Sequence, residues 1–149
     1  MVTRAQFGPW EIEYDREATQ AAYVAMDDAY CDCQSCRNYV ANAPFFPEAV
    51  RQFFDSLGID PAKPSDITSA VPPPPWNGPL SYTSNLYCCF GRIVSGPELR
   101  NYAMSKNFGI SFLRELYLNM IPGEISKEQA LLIEISITLP WLLDEPYTE

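Results

Sequence analysis

Three cysteines fall within six residues of this 149-residue chain, in the stretch YCDCQSCRNYV from Tyr30 to Val40. Cys33 and Cys36 form a C-x-x-C, a spacing that lets two thiolates reach one ion across a tight turn. Cys31 adds a third thiol at C-x-C spacing. Thiolates suit zinc, which takes four ligands in a structural site. The chain has no histidine, so the usual nitrogen ligand is missing. The remaining cysteines are Cys88 and Cys89, in the stretch LYCCFG. Adjacent residues of a strand point to opposite faces, so only one of these two can turn toward the cluster. The sharp expectation is a four-thiolate zinc site of Cys31, Cys33, Cys36 and Cys88, with Cys89 or an aspartate as the other candidates for the fourth place. Asp27, Asp28 and Asp32 would favour a cation there. Such a site would pin the N-terminal half of the chain to the strands that follow.

The same cysteines permit two other readings. A C-x-x-C at the start of a helix can act as a redox pair, because the helix field favours a thiolate. The nearby acids oppose this, and an alanine-rich helical pattern stands where a redox fold places a buried strand. The plainer reading is buried, inert thiols. With three thiolates and a water, the site would be open to hydrolytic chemistry. With four it would be closed. Arg37, next to the cluster, reads as a partner in a surface ion pair.

Elsewhere the chain is poor in catalytic signals. Without histidine there is no His-based triad and no ordinary general base near neutral pH. No phosphate-binding or dinucleotide-binding glycine pattern is present. Ten basic residues against nineteen acidic ones give a net charge of −9. That balance excludes the basic face that nucleic-acid binding requires and disfavours an anionic membrane surface. It is compatible with a cation or with a basic protein partner. No apolar run approaches the ~18 residues of a membrane span. The opening MVTRAQFGPWEIEYD has no apolar core of a signal peptide, so the expectation is a cytoplasmic protein with reduced thiols. An odd count of five cysteines fits that expectation.

The elements that must hold the cluster follow from periodicity. Trp10, Ile12 and Tyr14 alternate with acids and predict a half-buried strand. Asp15 predicts a helix N-cap. Ala18, Ala21, Ala22, Ala25 and Ala29 predict a small-residue helix face running to Tyr30. A short helix is expected over Ser35 to Ala43, stopped by Pro44. Val50, Phe53, Phe54 and Leu57 predict a helix that Pro47 opens and Gly58 closes. The proline-rich stretch from Asp60 to Leu80 reads as a loop. LSYTSNLYCCFGRIV predicts a strand, and so does ISFLRELYL from Ile110. Leu131, Ile133, Ile135, Ile137 and Leu139 define a last strand with one apolar face. With 47% apolar residues and the length of one domain, residues 1–149 predict a single α+β domain. Its antiparallel sheet would carry an N-terminal helical half on one face.

Several segments together, YCDCQSCRNYV, FPEAVRQFFDSLGIDPAKPSDI, YCCFGRI and IEISITLPWLLDEPY, resemble a group of small uncharacterised bacterial proteins with a Cys-x-x-Cys-Arg-Asn segment. The resemblance implies a histidine in those proteins where Cys88 stands here, one zinc-competent side chain in place of another. It implies no activity or substrate. The functional expectation is a non-enzymatic protein-interaction module with a structural zinc. The alternatives are a small acidic inhibitor or immunity-type protein that masks a basic effector, and a thiol oxidoreductase using Cys33 and Cys36.

Overall fold

The computed structural model describes residues 1–28, 31–115 and 117–149. Its strands are β1 (Thr3–Phe7), β2 (Trp10–Tyr14), β3 (Asp66–Ala70), β4 (Leu80–Ser95), β5 (Tyr102–Ser105), β6 (Phe108–Leu113) and β7 (Ala130–Leu139). Its α-helices are α1 (Arg16–Ala25), α2 (Gln34–Asn42) and α3 (Glu48–Leu57). The seven strands form one antiparallel sheet in the order β1-β2-β4-β7-β6-β5, with β3 also paired to β4. The fold is α+β, as composition and periodicity predict.

Strand pairing decides which residues share a face, because directly opposed residues of an antiparallel pair project to the same side. Tyr82 and Phe108 both oppose Ile137, and Tyr87 and Phe112 both oppose Ile133. These four rings therefore lie on one face. Phe53 of α3 packs edge-on against Phe108, and Phe54 against Tyr87. Tyr39 of α2 meets Tyr82 with ring centroids 5.1 Å apart. All of these rings are buried. The helix α3 is built as its spacing predicts: Val50, Phe53, Phe54 and Leu57 are buried. Gly58 ends it in the left-handed conformation at φ 78°, where an added Cβ would meet the Arg16 carbonyl.

The alternation of Trp10, Ile12 and Tyr14 appears as predicted in β2, whose three apolar side chains are buried. The Asp15 carboxylate accepts from the Ala18 amide at 3.0 Å and caps α1. Beyond that cap, α1 departs from the alanine pattern. It stops at Ala25, and Ala21 and Ala25 are exposed. Its buried residues are Thr19, Ala22 and Tyr23. The reason lies at the edge of β4. On one side β4 pairs with β7 from Leu80 to Phe90. On the other, β3 covers residues 81–86 and β2 covers residues 91–95, which leaves a gap between them. α1 fills that gap. The Tyr23 hydroxyl accepts from the Cys88 amide at 3.1 Å, and the Thr19 hydroxyl accepts from the Phe90 amide at 3.0 Å. The Asp15 amide donates to the Phe90 carbonyl at 2.9 Å. Buried backbone groups need partners, and here two hydroxyl side chains replace a strand.

Three strands lie where no strand is predicted. β1 forms a hairpin with β2 across Gly8, and β5 does so with β6. β3 runs through the stretch predicted as a loop. Pro64 and Pro72 flank it without entering it, which an edge strand tolerates. β6 starts at Phe108 and ends at Leu113, short of the strand predicted to continue from Ile110 through Leu118. Ala29 and Tyr30, predicted in the first helix, and Leu116, predicted in that strand, lie outside the described residues. No helix among the described residues is long and apolar enough to cross a membrane.

Replacing either edge-capping hydroxyl should leave a buried amide unpaired. Tyr23→Phe and Thr19→Val are each expected to lower stability by about 1–3 kcal/mol, measured by urea unfolding. Val24→Ala, an exposed position on the same helix, should change it by less than about 0.5 kcal/mol.

Candidate metal centre

The cysteine-bearing helix is held from two sides. Toward the sheet, the buried Tyr39 ring packs on Tyr82 and Phe46. The Tyr82 hydroxyl donates to the Ser35 carbonyl at 2.6 Å and accepts from the Asn38 side-chain amide at 3.2 Å. Toward the segment of residues 140–149, α2 presents three buried amides one turn apart: Gln34, Asn38 and Asn42. Asn38 and Asn42 both donate to the Pro140 carbonyl, at 3.1 and 3.0 Å. The Leu142 amide donates to Asn38 Oδ1 at 2.7 Å. Gln34 donates to the Pro146 carbonyl at 3.0 Å and accepts from the Thr148 amide at 2.8 Å. The Gln34 backbone amide donates to Glu149 Oε2 at 3.2 Å. Arg37 forms its predicted surface ion pair with Glu145 at 2.9 Å and donates to the Asp32 carbonyl at 3.0 Å.

This polar seam is the part of the site that reading the sequence missed. Its signal is present in QSCRNYVAN: three side-chain amides at i, i+4 and i+8 fall on one helix face. Buried amides on one face require a polar partner, and the chain supplies it in the distant segment of residues 140–149.

Cys33 is the N-cap of α2, with extended backbone at φ −65° and ψ 164°. Cys36 lies in the first turn, and Cys31 precedes the cap by two residues. The three sulfurs all lie within 4.8 Å of one another. Zinc–sulfur bonds of about 2.3 Å in a tetrahedron put sulfurs about 3.8 Å apart. Small side-chain rotations separate the two arrangements, so the three cysteines can hold a metal ion. The Cys33 amide donates to Cys31 Sγ at 3.3 Å, which fixes the first sulfur above the helix start. Exposure falls along the group: Cys31 is exposed, Cys33 half-buried and Cys36 buried.

Cys88, expected as the fourth ligand, is not part of this group. It opposes Leu132, which also opposes Leu113. That is the sheet face opposite to Tyr82, the face turned away from α2. At about 3.3 Å per residue it also lies roughly 20 Å along β4 from Tyr82. Cys89 opposes Leu131 and shares the face of Tyr82, but it is fully buried in the middle of the strand, well along from Tyr82. Of the aspartates, Asp28 lies 3.8 Å from the Lys63 ammonium, and Asp32 is exposed. Lys63 in turn donates to the Tyr23 and Met26 carbonyls at the end of α1, both at 2.8 Å.

One thiol, Cys33, ionises readily, and Cys36, Cys88 and Cys89 do not. Burial pushes the Cys33 thiol up, but the Ser35 hydroxyl, the Cys36 amide and the other two cysteines outweigh burial and bring it down to about 7. Cys36 moves the other way, through burial and through Cys33. Burial alone pushes Cys88 up to about 12, and Cys89 is also raised by burial. A thiolate at Cys33 near neutral pH is the form that binds metal or attacks a disulfide.

The chain matches no protein-family model, no curated protein and no solved structure at a significant level. The site must therefore be read from its own geometry.

Iodoacetamide tests that geometry directly. In metal-free, reduced protein, the rate of Cys33 alkylation should rise with pH through about 7 as its thiolate forms. Cys88 and Cys89 should stay unmodified until the protein unfolds, as followed by peptide mass spectrometry.

Proposed function

We propose that the protein binds one zinc ion through Cys31, Cys33 and Cys36, and that the ion is a structural staple in a non-enzymatic protein-interaction module. The observation that carries this reading is the convergence of three sulfurs at the start of one helix. Three soft ligands select zinc over the hard cations magnesium and calcium. A helix N-terminus favours the thiolates the ion needs. The metal would order the residues leading into α2, which the polar seam orders only from Gln34 onward. The partner would be a basic protein, a choice supported by the net charge of −9. Protein purified without an affinity tag or added metal should contain about one equivalent of zinc by elemental analysis. Cys33→Ser should lose it and Cys88→Ala should retain it. Because protons compete for the thiolates, zinc affinity should weaken as pH falls through about 7. A metal-free wild type would overturn the proposal.

A second reading is favoured by the position of the C-x-x-C: its first cysteine caps a helix and is half-buried, and its second is buried one turn in. In that reading the Cys33 thiolate attacks a disulfide of a partner protein and forms a mixed disulfide. The Cys36 sulfur then displaces it after losing its proton. The partner leaves as a dithiol, and Cys33 and Cys36 become the disulfide. Reduction of a model protein disulfide by the reduced, metal-free chain, abolished by Cys33→Ser and retained by Cys31→Ser, would favour this reading. A pair that stays reduced in an excess of oxidised glutathione would remove it.

A further inference from the structure

We infer that the metal centre keeps one coordination position for a thiol from outside the chain, and that this thiol carries no negative charge. The inference rests on the reading of Cys31, Cys33 and Cys36 as metal ligands and adds a binding role to it.

Zinc takes four ligands, and the three sulfurs supply three of them. Among the described residues, no other histidine, cysteine, aspartate or glutamate places a ligand atom in that group. Ala29, Tyr30 and Leu116, outside the described residues, are of none of these types. Cys88 and Cys89 are fully buried in β4, and Cys88 faces away from α2. The three sulfurs are also unequally covered. Cys36, in the first turn of α2, is buried. Cys31 is exposed, and so is Asp32 between it and Cys33. An ion held by the three would have protein on the Cys36 side and solvent on the Cys31 side. That is the arrangement of an open site, in which three protein ligands leave the fourth place to water or to a substrate.

The donor set decides which ligand that place takes. Three thiolates are soft, strongly donating ligands and leave zinc a weak acid toward water. No histidine stands by to take a proton from a bound water. A fourth soft donor suits such an ion better. The thiol displaces the water, its sulfur bonds to zinc, and its proton passes to the solvent, because a metal-bound thiol is deprotonated. Local charge narrows the class. Zinc with three thiolates carries a net negative charge. Asp32 lies between two of the ligands in the chain, and the Glu149 carboxylate sits on the Gln34 amide at 3.2 Å, beside the cap cysteine. Arg37, the nearest cation in sequence, is paired with Glu145. A neutral thiol enters this field freely, and an anionic one is repelled.

Cobalt(II), a spectroscopic stand-in for zinc, tests this in the full chain kept reduced with a phosphine. The cobalt-loaded protein is titrated with 2-mercaptoethanol or with 2-mercaptoethanesulfonate, an anionic analogue. 2-Mercaptoethanol should raise the sulfur-to-cobalt charge-transfer absorption by about one third, saturably, while the cobalt stays with the protein in gel filtration. The sulfonate should bind on the order of threefold more weakly at low salt, and the gap should close as salt is added. Bound cobalt whose three-thiolate absorption neither thiol changes would overturn the open position and leave the three-cysteine site standing. Four-thiolate absorption before any thiol is added, or cobalt stripped from the protein by the thiol, would overturn it too. Equal affinity for the two thiols would overturn the charge selection. Failure of the wild type to bind cobalt or zinc at all would overturn both readings together.

Discussion

The phenolic hydroxyl of Tyr82 stands between the sheet and the cysteines. It donates to the Ser35 carbonyl and accepts from Asn38, so both hydrogen-bonding roles of one buried oxygen are spent on the first turns of α2. The ring beneath it packs on Tyr39, which in turn shares a hydroxyl contact of 2.5 Å with Tyr87. The helix that carries Cys33 and Cys36 is therefore oriented by a tyrosine of the longest strand. The height and direction of the cysteine group above the sheet follow from that contact. Without it, the buried Asn38 would keep Pro140 and Leu142 as partners but lose its tie to the strand.

That strand, β4, has a second demand of its own. Its sixteen residues outrun the strands that flank it on one side, and the exposed gap would be a row of unpaired backbone groups. α1 closes the gap with Thr19 and Tyr23. The same arrangement disposes of Cys88. Its amide points into the gap toward Tyr23, and its side chain turns to the face away from α2. The edge contact that satisfies β4 and the separation of Cys88 from the other three cysteines are consequences of one geometry.

The segment of residues 140–149 links the site to the rest of the molecule. It leaves β7, crosses α2 along the Gln34–Asn38–Asn42 seam and brings Glu149 to the helix start. Amide-to-backbone hydrogen bonds of this kind each contribute about 0.5–1.5 kcal/mol net, but leaving a buried amide unmatched costs more. The seam therefore defines one docking position for the segment.

Periodicity alone determined the parts of this protein whose burial is one-sided. β2, β7 and α3 were legible because Trp10-Ile12-Tyr14, the Leu131 to Leu139 alternation and Val50-Phe53-Phe54-Leu57 each write their buried face into adjacent turns or alternate residues. The close grouping of Cys31, Cys33 and Cys36 was legible for the same local reason, since six residues of chain cannot separate them far. What spacing does not encode is the partner of an element. β3 is an edge strand with little apolar alternation, recognisable only once β4 lies beside it. The alanines of α1 suggested a packing face, yet its contacts are made by hydroxyls that answer unpaired amides of a distant strand. Cys88 had a suitable side chain, but the sheet register turned it to the wrong face in the middle of β4, away from α2. The segment of residues 140–149 is far from α2 in the chain, and the side-chain amides of Gln34, Asn38 and Asn42 bring it there. Local order follows from side-chain period, whereas which groups meet across the molecule follows from where buried hydrogen-bonding groups find their partners, and only the folded chain decides that.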